Sequence, residues 1–156
     1  MATKTVSITA AQKSGFTIET NARNHTLFVD QPTNGGGADA GPTPLEYLFF
    51  SLAGCVVTIG HIIAKQERLP VRNISVRVEG ELDTDVLMGK RADLRAGFSS
   101  IRVFTTIDAD MTLEEKQELL EKIDKRCPIS DNIIKNTPVQ LVVEDIKESE
   151  IYGGKN

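Results

Sequence analysis

The chain has 156 residues, the usual length of one domain and enough to bury roughly two thirds of its unfolded surface. Its 18 basic and 22 acidic residues give a net charge of −4, and the scattered basic residues argue against a nucleic-acid partner. No apolar block of signal-peptide length precedes Lys13, and two cysteines are too few for a secreted disulfide scaffold. We therefore expect one cytoplasmic domain over residues 1–156, with an ordered core over about residues 4–145 and a charged tail, 146–156, that frays.

The first third of the chain predicts a β-meander followed by a loop. Alternating residues indicate three short strands, at residues 4–10, 15–20 and 25–30, separated by turn-forming residues. Residues 31–41 contain four glycines and no periodicity, which is typical of a loop. A phosphate-binding role for this loop is the alternative, although no Lys-Ser or Lys-Thr pair follows it.

A helix with an explicit start signal follows this loop. Thr43 is placed as N-cap, Pro44 at the first helical position, and Glu46 completes a capping box. We expect the helix to end at about Arg68, because Pro70 disfavours helical backbone in the residue before it. Its body is apolar on nearly all sides over roughly 37 Å, which one subunit of this size has difficulty surrounding. A second subunit is therefore expected to cover part of it.

A membrane span is the competing interpretation of this helix, because 18 residues of such hydropathy approach the required length. Gly54, Gly60 and His61 interrupt the apolar run, and no charge asymmetry flanks it. We therefore expect no membrane partner.

The next segment predicts a pair of antiparallel strands. Residues 71–82 and 98–108 both alternate apolar and polar side chains, as strands with one solvated face do. The connection between them, residues 83–97, is long for a compact domain. It is either functional, for example in contacting a partner, or a mobile hairpin tip.

A second helix is predicted to begin after Thr112, which forms a capping box with Glu115. Pro128 ends or kinks this helix, residues 129–135 form a short further helix, and residues 139–143 form a last strand. Four side chains share one face of the second helix, so that its cysteine points inward: Leu113, Leu120, Ile123 and Cys127. The predicted fold class is α+β.

Cys55 and Cys127 are the only cysteines. Three roles are compatible with them: inert buried thiols, metal ligands and a redox pair. The apolar neighbours of Cys55 favour an inert thiol with a raised pKa, whereas Gly54 beside it permits a close backbone approach. Cys127 lies at a helix end, and a mobile thiol near a fixed one suits disulfide formation. A zinc site formed with His25 and His61 lacks paired close spacing.

Four segments carry a resemblance to a known family: HTLFVDQP at residues 25–32, GPTPLE at 41–46, SLAGC at 51–55 and CPIS at 127–130. In this order and spacing they resemble the osmotically inducible protein C and organic hydroperoxide resistance (OsmC/Ohr) proteins, which are thiol-dependent peroxidases and relatives. The resemblance implies antiparallel β-sheets wrapped around long central helices in an intertwined homodimer, with active sites at the subunit interface.

The resemblance also implies a reaction. Cys55 would be the peroxidatic thiol, whose thiolate attacks the O–O bond of an organic hydroperoxide and becomes a sulfenic acid. Cys127 would be the resolving thiol, which closes an intramolecular disulfide. An external dithiol such as a lipoyl group would restore both thiols, and no bound cofactor or metal is implied.

The sequence departs from the family pattern next to this thiol. In the family peroxidases an arginine of the N-terminal sheet, for which Arg23 is the candidate, pairs with a glutamate directly after the helix-opening proline. Here Leu45 holds that place, and Glu46 lies about 180° round the helix from Cys55, so that it caps the helix or reaches the partner. Leu45 motivates a second hypothesis, in which the protein binds a small apolar ligand in the interface cleft with little or no turnover. The alternative arginines are Arg91, Arg95 and Arg126.

Overall fold

The structure is a computed structural model that describes residues 2–144, and the tail predicted at residues 146–156 lies outside them. It confirms an α+β fold with antiparallel sheets. A three-stranded sheet is followed by a long helix, a two-stranded ribbon and two further helices. The strands and α-helices in chain order are β1 Thr9–Ser14, β2 Thr17–Ala22, β3 His25–Val29, α1 Pro44–Glu67, β4 Val71–Glu81, α2 Thr84–Leu87, β5 Ser100–Ala109, α3 Leu113–Arg126 and α4 Pro128–Ile134; a single 3-10 turn, Thr33–Gly35, lies between β3 and α1.

The N-terminal sheet has the order β1-β2-β3, and its first strand lies later than predicted. β1 begins at Thr9, whereas the sequence pattern placed the first strand at residues 4–10. The cause is Gly15, whose φ of 54° suits the left-handed turn that sets Ser14 opposite Thr17. Because strand pairing starts from that turn, the residues directly before Gly15 form β1.

Helix α1 begins and ends as the sequence predicts. The Thr43 hydroxyl accepts a hydrogen bond from the Glu46 N–H at 3.3 Å, and the Glu46 carboxylate accepts one from the Thr43 N–H at 2.7 Å. Arg68 closes the helix in the left-handed conformation, and its N–H donates to the Ala64 carbonyl. The predicted capping box is therefore confirmed.

The ribbon of β4 and β5 packs its apolar face on α1, and the antiparallel pairing predicted for these segments is confirmed. The register runs from Val71 opposite Ala109 to Glu81 opposite Ser100. Helix α3 packs against α1 beside the ribbon. The resulting core contains Val56, Ile63, Ile74, Ile107, Ala109, Leu119 and Ile123.

The face of α3 that packs against α1 differs in part from the prediction. Ile123 and Cys127 are buried, as predicted, but Leu113 is 84% exposed. Leu113 lies ten residues before Ile123, about 80° round the helix axis, which places it at the edge of the buried stripe. Pro128 begins the short helix α4, as expected of a proline at a helix start.

The strand predicted for residues 139–143 is wrong for the described chain. These residues form no strand, and Val139, Leu141 and Val143 are 82%, 92% and 93% exposed. An alternating pattern shows only that a segment suits a sheet, because the strand forms when a neighbouring strand pairs its backbone groups. None of the strands within residues 2–144 does so.

Candidate active site

The fold brings together the sulfurs of two cysteines that are 72 residues apart in sequence. The Sγ atoms of Cys55 in α1 and Cys127 at the end of α3 are 2.7 Å apart, and both thiols are free. A disulfide bond has a length of roughly 2.05 Å, so bond formation requires sulfur displacements of less than about 1 Å. Of the three roles open to the cysteines, this geometry favours redox chemistry.

A glycine in α1 makes this approach possible. A β-carbon placed on Gly60 would lie 2.5 Å from Cδ1 of Ile74 in β4 and 3.0 Å from Cδ1 of Ile123 in α3. Both distances are well below the usual separation of roughly 3.5–4.0 Å between carbon atoms in contact. Gly60 therefore lets α3 pack directly on α1, and Ile123 lies one turn before Cys127.

The N-terminus of α4 faces both sulfurs, and the sequence interpretation did not identify this contact. Cys127 is the N-cap residue of α4, and its Sγ accepts a hydrogen bond from the Ser130 N–H at 3.4 Å. The Ile129 N–H hydrogen bonds to the Cys55 sulfur. The signal that could have revealed this arrangement is Cys127 followed by Pro128, the pattern of an N-cap residue and a proline at the first helical position.

The contacts within the described chain keep Cys55 protonated at neutral pH. Burial raises the pKa of Cys55 to about 11, and the adjacent Cys127 thiol acts in the same direction, whereas the Ile129 amide lowers the pKa in part. No lysine or arginine within residues 2–144 hydrogen bonds to this sulfur. At pH 7 only about one Cys55 in ten thousand would then be a thiolate. A reactive Cys55 needs a further cation.

The structure does not bring the two predicted activating residues to Cys55. Arg23 lies exposed in the turn between β2 and β3, with a φ of 55°. Glu46 uses its carboxylate within its own capping box, where it accepts hydrogen bonds from the N–H and the hydroxyl of Thr43. Both bonds lower the pKa of Glu46. The catalytic roles of Arg23 and Glu46 stay predictions.

Two of the alternative arginines have partners elsewhere. Arg91 pairs with Asp93 at 2.6 Å, and Arg126 donates to the Gln66 side chain at 2.9 Å. Arg95 lines a second cavity, described below.

An apolar cavity of about 380 Å³ lies between α1, β5, α3 and α4; chain neighbours of Cys55 line it, whereas neither cysteine does. Leu52 and Val56, which flank Cys55 on α1, line its floor. An adjoining cavity of about 460 Å³ extends towards Leu48 and Arg95. Such apolar concavities with a few polar groups are typical of small-molecule sites. The two cavities share Ile101, Ile133 and Ile134.

Comparison with known proteins identifies the family. The model of the family described as OsmC-like protein matches residues 35–142, which is more than half of the chain. The chain belongs to the OsmC-like protein family. No curated protein sequence matches this OsmC-like protein significantly. Its membership confirms the resemblance, and the matched region contains three of the four sequence segments, including those with Cys55 and Cys127.

Solved structures show the same fold. The OsmC-like protein is similar to an OsmC-like protein from Mycoplasma pneumoniae, with 20% identity, a TM-score of 0.75 and coverage of 85% of this chain and 89% of that one. It is also similar to an organic hydroperoxide resistance protein OsmC from Legionella pneumophila (20% identity, TM-score 0.65, coverage 87% and 93%). A third similar structure is an organic hydroperoxide resistance protein from Elizabethkingia anophelis (22% identity, TM-score 0.61, coverage 86% and 91%).

Proposed function

We propose that this OsmC-like protein reduces organic hydroperoxides, with Cys55 as the peroxidatic thiol and Cys127 as the resolving thiol. The observation that carries the proposal is the 2.7 Å separation of the two sulfurs. Two similar structures are of proteins named organic hydroperoxide resistance proteins, which supports the same substrate class here. The half-buried Cys55 is more accessible to a substrate than Cys127, which is 1% exposed, and this difference supports the assignment of roles.

The reaction proceeds in three steps. The Cys55 thiolate attacks one oxygen of the hydroperoxide; an S–O bond forms, the O–O bond breaks, and the leaving alkoxide takes a proton to become an alcohol. The Cys127 sulfur then attacks the sulfenic acid on Cys55, and water leaves as the disulfide forms. An external dithiol, such as a lipoyl group, reduces the disulfide and is itself oxidised. No bound cofactor takes part.

The active form is proposed to be a homodimer, because large apolar surfaces of the described chain are exposed to solvent. α1 is long and apolar enough to span a membrane, and only 28% of its most apolar 18-residue stretch is buried. Phe16 in the turn between β1 and β2, Leu27 in β3, and Leu141 are also exposed. Because α1 already packs one face on β4 and α3, a second copy is a better cover for its other face than lipid.

In the proposed dimer Arg23 supplies the cation that Cys55 lacks, and Glu46 at the start of α1 orients it. A guanidinium beside a thiol favours the thiolate and so opposes the effect of burial on the Cys55 pKa. Arg23 is free to do so, because it forms no ion pair within residues 2–144. We also propose a cytoplasmic location, and the net charge of −4 supports the absence of a nucleic-acid partner.

Thiol counting tests this function directly. Reduced protein is mixed with excess cumene hydroperoxide, and free thiols are counted; we expect both thiols to disappear. The Cys127→Ser variant should stop at a sulfenic acid on Cys55 that dimedone traps, and the Cys55→Ser variant should keep its remaining thiol. Two unreacted thiols in the wild-type protein after excess oxidant would rule out the proposed function.

The second candidate function is binding of a small apolar ligand with little or no turnover. It is favoured by the 380 Å³ apolar cavity and by the raised pKa of Cys55. Its signature is saturable binding of cumyl alcohol together with slow alkylation of Cys55 at pH 7. Val103→Asn, which introduces an amide into the cavity wall, should weaken that binding, and Val6→Asn on the exposed N-terminal segment is the matched control.

A further inference from the structure

Asp30 is a buried carboxylate without a role in the proposed reaction. It directly follows β3 and is 1% exposed. Its oxygens accept four hydrogen bonds, from the Thr17 hydroxyl at 2.9 Å and from the N–H groups of Gln31 at 2.7 Å, Ala38 at 3.3 Å and Ala40 at 3.1 Å. These donors belong to β2 and to both ends of the glycine-rich loop. One carboxylate therefore ties the sheet to the loop that leads into α1.

Two glycines of the loop around Asp30 lie where a β-carbon does not fit. A β-carbon on Gly37 would collide with the Gln31 carbonyl and would lie 2.8 Å from Oδ1 of Asp30. A β-carbon on Gly41 would collide with the Phe28 carbonyl. Both glycines thus allow backbone to lie directly against backbone, and the carboxylate fixes that arrangement.

The N-terminal sheet is held to the rest of the protein near this point. The Asp30 N–H donates to the Pro42 carbonyl at 3.3 Å, and the Tyr47 hydroxyl of α1 donates to the Phe28 carbonyl at 2.8 Å. None of the buried core residues comes from β1, β2 or β3. We name this contact, formed by Phe28, Asp30, Gly41, Pro42 and Tyr47, the Asp30 junction. Because the sheet lacks core packing of its own, the junction determines its orientation.

We propose that Asp30 is a positioning residue that sets the location of Arg23 for activation of Cys55. This inference rests on the proposed role of Arg23. Arg23 lies seven residues before Asp30, up to roughly 23 Å away along the strand, so a tilt of about 10° at the junction moves Arg23 by about 4 Å. A displacement of even about 1 Å can cost roughly a hundredfold in rate when a catalytic group must be aligned.

The test compares Asp30→Asn with Asp39→Asn in the full-length protein. An asparagine at position 30 places an NH2 group against a group that donates a hydrogen bond to the carboxylate in the wild-type protein. Asp39 lies exposed on the same loop at a φ of 55°, which asparagine tolerates. The asparagine amide at position 30 can accept at only one of the two oxygen positions, so in Asp30→Asn we expect hydrogen exchange to accelerate at least about tenfold either at the Gln31 amide or at the Ala38 and Ala40 amides. Asp39→Asn should leave all three exchange rates unchanged.

The decisive measurement is the pH profile of Cys55 alkylation, followed by peptide mass spectrometry so that only Cys55 is scored. We expect Asp30→Asn to raise the apparent pKa of Cys55 and to slow its alkylation at pH 7 about tenfold or more. Adding Asp30→Asn to an Arg23→Gln protein should have no further effect, since both changes remove the same contact. An unchanged profile in Asp30→Asn, or additive effects in the double variant, would overturn the inference even if the loop exchanges faster.

Tyr47→Phe provides a second route if Asp30→Asn does not fold. It removes one hydrogen bond of the Asp30 junction and keeps the ring in place. The same slowing of alkylation, smaller in size, supports the inference, and an unchanged rate overturns it. Alkylation requires no hydroperoxide, so a wild-type protein that fails to react with hydroperoxide would refute the proposed function without deciding the role of Asp30.

Discussion

Replacing Arg23 with glutamine tests how Cys55 becomes reactive. The contacts of the described chain raise the pKa of Cys55 to about 11, and reactive cysteines in proteins have pKa values of roughly 3.5 to 7.5. If Arg23 lowers the pKa to about 7, the thiolate fraction at pH 7 rises by roughly three to four orders of magnitude. A thiolate of lower pKa is less nucleophilic, by about two orders of magnitude over this interval. Arg23→Gln should therefore slow Cys55 alkylation at pH 7 on the order of a hundredfold.

The assay is the rate of iodoacetamide alkylation of Cys55 between pH 5 and pH 11. The wild-type profile should rise at a pKa well below that of the Arg23→Gln variant, whose profile should move towards pH 11. Arg91→Gln, Arg95→Gln and Arg126→Gln are matched controls with the same loss of charge. If the Arg23→Gln profile coincides with the wild-type one, or if one of the controls shows the shift instead, the proposed role of Arg23 is wrong.

Further predictions concern packing, capping, acid stability and assembly. Gly60→Val should lower the free energy of unfolding in urea by about 1–3 kcal/mol, because the added side chain overpacks the core, and it should also slow formation of the disulfide. Unchanged stability would refute the packing argument. Thr43→Ala should cost about 1 kcal/mol in the same assay, and no loss would contradict the capping role. Burial raises the pKa of Asp30, but its hydrogen bonds outweigh this and lower it, so its stabilisation is complete above about pH 4 and is lost as pH falls through the lower folded value. The difference in free energy of unfolding between wild type and Asp30→Asn should therefore shrink as pH falls. A constant difference from pH 6 to pH 3 would contradict the stabilising role of the Asp30 carboxylate. Leu141→Asp should weaken the dimer in sedimentation experiments, whereas an unchanged dimer would exclude residue 141 from the interface.

The sequence predicted the elements whose signals are local. Thr43 and Glu46 determine the start of α1 through contacts within one turn, so their pattern is sufficient. The ribbon of β4 and β5 followed from alternation in two neighbouring segments. The first strand was misplaced because the alternation continues through residues 4–8, whereas Gly15 alone fixes the turn from which pairing begins.

Features that depend on distant packing could not be predicted from local patterns. The family resemblance predicted that Cys55 and Cys127 pair, but their 2.7 Å contact depends on Gly60, whose missing side chain matters only because β4 and α3 meet there. The helical spacing predicts Leu113 on the buried face, but the position of α3 on α1 leaves it in solvent. Residues 139–143 have the pattern of a strand, but no strand within residues 2–144 pairs with them.

In the proposed reaction, hydroperoxide oxidises Cys55 and Cys127 to one intramolecular disulfide. The most direct test adds one equivalent of cumene hydroperoxide to fully reduced protein and measures intact mass, followed by non-reducing peptide mapping. We expect the loss of two hydrogen atoms per chain, one equivalent of cumyl alcohol, and a single linked peptide that joins Cys55 to Cys127. Unchanged mass with the hydroperoxide intact, or a disulfide only between Cys55 residues of different chains, would contradict the proposed reaction.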